Sequence, residues 1–336
     1  MRKLPLAAGL ILAGLIFSRA RRPRFRLAGK VVLITGGSRG LGLAIAREAA
    51  RRGARLGLCA RLADELEAAR AELALDGTTV ATAVCDVRDD ASVARAFTEL
   101  TSTLGPVDVL VNCAGIITAG PIEALTFDDF RAAMETNFFG ALRTTLAVLS
   151  AMRARGQGRI VNITSIGGEL AVPHLLPYCA SKFAYVGFSE GLRAEVARDG
   201  VKVVTVIPGL MRTGSPPHAT FAGQSQKEYG LFVLADATPA TSVSVVHAAR
   251  LILNGAERGA ARVVISWQAK LGRLAYGIAP NLVLKVLTIV GYALPDGGET
   301  PEHRAGFESE WALTQSPVTA MSRHASQTQN ETLHPT

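Results

Sequence analysis

The sequence predicts an α/β protein, a doubly wound parallel seven-stranded sheet of Rossmann-like type. Seven short β-branched runs alternate with segments of helical periodicity, as crossover-connected parallel strands require. The first run leads through a glycine-rich turn into a helix. A composition of 49% hydrophobic and 19% charged residues supplies a large core and excludes a disordered chain or a fibre.

The expected strands are Lys30–Thr35, Ala54–Ala60, Thr78–Cys85, Val107–Asn112, Arg159–Thr164, Val201–Ile207 and Ala261–Ile265. The helical patterns between them cover Leu41–Arg52, Ala63–Leu75, Asp89–Leu104, Phe127–Arg155, Tyr178–Arg198 and Ser242–Glu257. No Pro/Ser linker and no internal repeat divides residues 30–266, so one domain is expected over 28–266. Three segments flank it: 1–27, 267–295 and 296–336.

Leu4 to Phe17 is almost wholly apolar and is followed by Arg19, Arg21, Arg22, Arg24 and Arg26. Residues 1–27 therefore read as a membrane anchor, with the arginines keeping the body on the cytoplasmic side. Fourteen helical residues reach only about 21 Å, short of a hydrocarbon core of about 30 Å, so spanning and lying in the interface both stay open. The net charge of +8 belongs to this end: residues 1–30 hold eight Lys or Arg and no acid, leaving 28 basic against 28 acidic residues. A neutral body argues against nucleic acid as a partner. Trp267–Leu294 reads as amphipathic helix, with packing, a membrane face and a substrate channel all open, and 296–336 as a disordered tail.

The first strand runs into Thr35-Gly36-Gly37-Ser38-Arg39-Gly40-Leu41-Gly42, where backbone N–H groups at a helix start could meet a phosphate. Its spacing is Gly, three residues, Gly, one residue, Gly. Asn112-Cys113-Ala114-Gly115 follows the fourth strand, Ser165 ends the fifth, and Tyr178-Cys179-Ala180-Ser181-Lys182 opens the next helix. These motifs together resemble the short-chain dehydrogenase/reductase family over about residues 28–266. The resemblance implies a catalytic set of Asn137, Ser165, Tyr178 and Lys182. It also implies adenine contacts at Asp86 and Val87, cofactor contacts at Asn112, Ala114 and Gly115, and a nicotinamide end held by Pro208, Gly209 and Thr213. Cys113 stands where the family has a second Asn.

Tyr178 and Lys182 are four apart and share a helix face. A free tyrosine titrates near pH 10, and a nearby ammonium is expected to lower it by favouring phenolate. Ser165 can donate to a developing alkoxide, and the family's lysine also bonds the nicotinamide ribose. At the end of the second strand, Ala60-Arg61 lacks the acid that an NAD enzyme usually places there. Arg39 and Arg61 can flank a 2′-phosphate instead, which points to NADP.

Competing chemistries find less support. Ser165 lacks a Gly-x-Ser-x-Gly setting for a hydrolase. The six histidines and four dispersed cysteines form no metal-ligand spacing, and His174 reads as a loop residue that could line a pocket. Nucleotide-sugar chemistry and a catalytically silent redox sensor or scaffold are the alternatives, the second disfavoured by the intact four-residue set. The Gly/Pro-punctuated stretch Gly209–Ala237 stands where the resemblance implies a lid, and its apolar residues suit a lipophilic substrate or plain packing. The expected function is interconversion of a lipophilic ketone and alcohol at a membrane, with homo-oligomerisation open.

Overall fold

Seven runs rich in Val, Leu and Ile form strands because both their faces are covered by helices, so continuous apolar sequence is buried on each side. The computed structural model describes residues 25–238, 242–298, 302–311, 314 and 319–331. The strands are β1 (Val31–Thr35), β2 (Arg55–Ala60), β3 (Val80–Val84), β4 (Val109–Asn112), β5 (Gly158–Ile163), β6 (Val201–Pro208) and β7 (Arg262–Ile265). They form one sheet in the order β7-β6-β5-β4-β1-β2-β3, with all neighbours parallel. The order reverses at β1, which pairs with β2 on one side and β4 on the other. Chains leave this switch point in opposite directions and open a crevice at the strands' carboxyl ends.

Alternate residues of each strand face opposite layers. Val32 and Ile34 of β1 pack with α1 (Gly40–Arg51) and α8 (Val245–Arg258). Leu33 between them faces Phe97 and Leu100 of α3 (Asp90–Leu104) and Val148 and Met152 of α5 (Gly140–Ala154). Asp89 caps α3 by accepting from Ala91 N and Ser92 N at 3.2 and 2.9 Å. The remaining elements in this part are α2 (Ala63–Ala74), α4 (Phe127–Met134), α6 (Leu176–Glu195) and α7 (Ser225–Ala237).

Several features bear on the site, and two of them, the helix at Asn137 and the C-terminal segment, depart from expectation. The stretch expected as one helix over Phe127–Arg155 is α4 and α5 joined by a π-helical turn, Glu135–Phe139, which contains Asn137. Such an insertion widens the helix and re-aims a side chain. The lid stretch is folded: residues 211–212 pair with 243–244, and Thr220–Gly223 lies between 118–119 and an antiparallel strand, Glu302–Ala305. Phe221 seals this small sheet with Tyr229 and Phe232.

The segment expected to be disordered, 296–336, supplies that strand, a 3₁₀ turn and a helix, α11 (Ala320–Thr328). Its order comes from the rest of the chain: its small polar residues, Ser322 and Ser326 among them, are buried against the lid, so apolar periodicity alone underrates it. At the other end, most of the expected anchor, residues 1–24, lies outside the described residues. Leu27 is wholly buried, its N–H donates to Glu257 Oε1 at 3.3 Å, and the Phe25 ring lies 4.5 Å from the Arg159 guanidinium. The domain thus begins at or before Phe25.

Helices α9 (Trp267–Ile278) and α10 (Pro280–Tyr292) follow β7. No residue of α10 is buried, although Ile289 and Leu282 are apolar and 67% and 62% exposed. A cavity of about 280 Å³ separates α10 from Val172, Pro173 and Leu176, just before Tyr178. Among the described residues no helix is long and apolar enough to cross a membrane.

Candidate active site

The crevice between β1 and β4 gathers the predicted phosphate loop. Thr35 Oγ1 accepts from Cys113 N and Ala114 N at 3.0 and 3.1 Å, clamping the two strand ends together. Gly36 has φ +64, and a Cβ there would press within 3.0 Å of Ala114 Cα. At Gly42 a Cβ would fall 1.9 Å from Gly36 O, so only glycine lets α1 start this close to the strand. The first turn of α1 carries no acid, which suits an anion at its N-terminus.

An acid from elsewhere already occupies that position. Gly40 N donates to Gln329 O at 2.9 Å, and a Cβ at Gly40 would meet the Glu331 carboxylate. Arg39 lies between Glu65, at 2.8 Å, and Glu331, at 3.4 Å. Ser38 Oγ donates to the same Glu65 at 2.8 Å. Arg61, the second predicted cation, is exposed at the end of β2. Asp86 is held by Arg88 through a 2.6 Å bond that keeps its carboxyl below the usual range. Val87 is buried against Gly140, so it shapes the wall more than it offers a contact. Gly209 packs on Ser266, and Thr213 Oγ1 donates to Ser215 Oγ at 2.8 Å, both beyond Pro208 at the end of β6.

The four predicted catalytic residues converge around the ends of β4 and β5. Gly167 and Gly168 follow Ser165; a Cβ on either would press on Tyr178 or the Lys182 carbonyl, so α6 packs directly on this turn. Tyr178 and Ser165 both lie against Gly167; Ser165 favours the charged form of the phenol, but desolvation dominates and pushes it up to about 12. This corrects the expectation of a phenolate-favouring lysine. Lys182 lies with Nζ 5.5 Å from the ring centres of both Tyr178 and Tyr185 and donates to Ile163 O at 3.0 Å. Burial lowers its own ammonium to about 8. Asn137 is wholly buried: it accepts from Ile116 N at 2.8 Å and donates to Ile116 O and Ser181 Oγ at 3.1 and 2.9 Å.

Asn112 supports this group. Its amide donates to Thr145 Oγ1 and Asn162 Oδ1, both at 3.0 Å, and accepts from Thr144 Oγ1 at 2.7 Å. Asn162 continues to Ser189 and Tyr185 at 3.0 and 3.1 Å. The Cys113 thiol, where the family has Asn, is raised to about 12 by burial, and the stitching of the sheet passes through Asn112 instead. Ala114 and Gly115 line the turn beyond it, with Gly115 close against Asn137 Oδ1.

Sequence reasoning missed Glu65, Arg88, His218 and Glu331. Glu65 and Arg88 stood in helical or loop segments without a motif, and His218 and Glu331 meet the site only through long-range packing. His218 Nε2 is 2.9 Å from Glu331 O, and its ring nitrogen Nδ1 is 3.2 Å from Arg39. His174, expected as a plain loop residue, has φ +63 and bonds Glu228 of the lid at 2.6 Å.

Known proteins are similar to this chain in sequence and fold. The family model described as short chain dehydrogenase matches residues 30–219. A dehydrogenase/reductase SDR family protein 7-like from Anopheles gambiae is 37% identical over 250 residues, 72% of this chain and 79% of that protein. A putative ketoacyl reductase from Streptomyces coelicolor is 41% identical over 186 residues, 55% of this chain and 71% of that one. Among solved structures, a gluconate 5-dehydrogenase from Burkholderia cenocepacia in complex with NADP and tartrate superposes with TM-score 0.65 at 31% identity, covering 74% of this chain and 97% of that one. The sheet order, the clustered residues and these matches agree: the chain belongs to the short-chain dehydrogenase family and is an oxidoreductase acting on CH–OH groups.

Proposed function

We propose that the protein is an NADP-dependent reductase of lipophilic ketones that works at a membrane surface. The observation that carries the cofactor reading is the Glu331 carboxyl group at Gly40 and Arg39, an acidic group that stands on the glycine turn in the place of a phosphate. The donor set there suits phosphate: backbone N–H groups, a helix start without acids, and arginines at positions 39 and 61. The similar gluconate 5-dehydrogenase, solved with NADP, supports the same reading. Residues 36–42, Arg61, Asn112–Gly115, Lys182 and Thr213 would hold the dinucleotide, which supplies a hydride for a carbonyl carbon when bound.

The chain's own part is proton handling and positioning. A phenol raised to about 12 stays protonated at neutral pH, which makes Tyr178 a proton donor to a carbonyl oxygen. Ser165 shares that oxygen by hydrogen bonding. Lys182, charged below about 8, adds a buried cation that favours developing negative charge. Asn137 fixes Ile116 and Ser181, and so the turn and helix that face each other across the site.

The lipophilic and membrane readings rest on α9 and α10. Residues 266–295 include Lys270, Arg273 and Lys285 but no acid, and their exposed apolar side chains adjoin the loop that leads to Tyr178. Such a face suits an anionic lipid surface, with the segment 1–27 as a second attachment on the cytoplasmic side.

A series of 2-alkanones of increasing length tests both substrate and cofactor. We expect NADPH to exceed NADH in kcat/KM by about tenfold or more, and KM to fall as the chain lengthens. A preference for NADH, or indifference to chain length, overturns the corresponding half. Flotation with anionic vesicles tests the surface: full-length protein should float, and replacing Leu282 and Ile289 by Gln should weaken it. Persistence of the protein as a dimer, with no flotation, would instead assign α10 to a second copy.

A further inference from the structure

We propose that residues 319–331 are a built-in competitor of the cofactor, a strap that closes the dinucleotide crevice until NADP(H) displaces it. The inference rests on the cofactor reading above. The strap follows the crevice from end to end. At the nicotinamide end, Ser326 Oγ donates to Gly214 O at 3.0 Å, beside Thr213, and the Ser326 backbone fills the space where a Cβ on Gly214 would stand. At the phosphate end, Gln329 O takes the Gly40 N–H and Asn330 Nδ2 donates to Ser38 O at 3.4 Å. Arg47 on α1 secures the strap by donating to Thr328 O and Gln329 Oε1, both at 2.9 Å.

Glu331 supplies the acidic group, its carboxyl pushed up to about 8 by burial. Its side chain is 3% exposed, 3.4 Å from Arg39 and 3.3 Å from His218. Its carboxyl group lies where a Gly40 side chain would point, so the tail sets acidic oxygens at the glycine turn, where a phosphate would set its own. A dinucleotide and this strap therefore draw on the same donors and cannot both hold them.

The strap is also built to leave. Apart from Ala325, its buried residues are polar: Thr319, Ser322, Ser326, Gln329 and Glu331. Release removes little apolar area from cover, and the freed groups are ones that water solvates. Burial disfavours the charged form of Glu331; Arg39 offsets this in part and the like charge of Glu65 adds to it. A cofactor bearing more negative charge and further contacts along the crevice can win this exchange, and its apparent affinity is reduced by the fraction of chains with the strap closed.

Two full-length variants test the idea. Glu331→Gln removes the acid, and Ser326→Trp wedges the strap away from Gly214. Titration with NADPH, followed by nucleotide fluorescence, should give both variants a Kd about tenfold tighter than the wild type. Hydrogen exchange provides a readout independent of turnover: amides of 320–331 should be protected without NADPH and exchange faster with it, while β4 and β5 stay protected. Binding by the variants alone would be the strongest support. Equal Kd values with unchanged strap exchange overturn the strap and leave the cofactor reading standing. Increased protection on adding NADPH also overturns it, because the tail would then be part of the holding site. If no form binds NADPH or NADH, the strap fails together with the cofactor reading.

Discussion

The two halves of the crevice are held by opposite kinds of contact. Around Tyr178 the groups are buried, mostly uncharged and bonded to one another through Asn112, Asn162 and Asn137. Around Gly40 the groups are charged, and the chain compensates them with Glu65 and Glu331. A neutral network of buried polar groups has few alternatives, since each unsatisfied member costs about 1–3 kcal/mol. Charge pairs at a crevice mouth are exchangeable: another anion can replace the carboxylate. The catalytic half is thus preorganised, and the cofactor half is made to swap partners.

The largest expected effect comes from the preorganised half. Tyr178→Phe should lower kcat/KM for ketone reduction by about 10²–10⁴-fold and leave NADPH affinity within twofold or so, since the ring keeps its packing on Gly167. Loss of NADPH binding in this variant would mean that the tyrosine belongs to the cofactor half as well.

Asn112→Ala breaks the same half without touching the reacting groups. It removes one bond each from Thr144, Thr145 and Asn162 in a buried region; Thr144 keeps the Gly140 and Ala141 carbonyls and Asn162 keeps Ser189 and Tyr185. Denaturant unfolding should show a loss of about 3 kcal/mol. A loss below about 1 kcal/mol would show that neighbours or water re-satisfy the network, and the preorganisation argument would fail.

Lys182 separates activity from stability. Burial depresses its folded-state pKa to about 8, below its unfolded value. At neutral pH its charge is therefore destabilising, and stability rises as pH climbs through 8 toward the unfolded pKa, because the unfolded chain then binds more protons. Lys182→Met should raise unfolding stability by about 1–3 kcal/mol at pH 7 while lowering activity severely. The gap should narrow by pH 9.5. A variant less stable than the wild type at pH 7 would show that the Ile163 carbonyl and the two tyrosine rings more than offset the burial.

Sequence legibility follows the same division. All seven strands were readable, because buried parallel strands carry unmistakable apolar runs, and so was the convergence of Asn137, Ser165, Tyr178 and Lys182, because the motif residues sit at fixed offsets from strand ends. The π turn at Asn137 was not readable: one inserted residue leaves helical periodicity almost unchanged over a stretch of this length. Nor was the elevated phenol of Tyr178, since the sign depends on burial competing with charge, and spacing shows only that the charge is near. The C-terminal region was misread because Ser322, Ser326 and Glu331 are buried by partners more than eighty residues away, which a local polar pattern cannot reveal.

The smallest effect distinguishes the two arginines of the cofactor half. Both were expected to select NADP, but only Arg39 is engaged by Glu65 and Glu331. Removing Arg39 takes away a cation that a 2′-phosphate could use, yet it also loosens the strap that competes for the same place, so the two changes oppose each other. Arg61 is exposed at the end of β2, and its loss has no such compensation. Arg61→Ala should therefore weaken NADPH binding by about tenfold or slightly more, as expected for one charge-assisted bond, with NADH nearly unaffected. Arg39→Ala should weaken NADPH by only a few fold, and in the Glu331→Gln background its full effect should emerge. Direct titration of both nucleotides against the three variants reads this out. If Arg39→Ala costs as much alone as in the Glu331→Gln background, the carboxylate and the cofactor do not share Arg39, and the contrast between the two halves loses its second term.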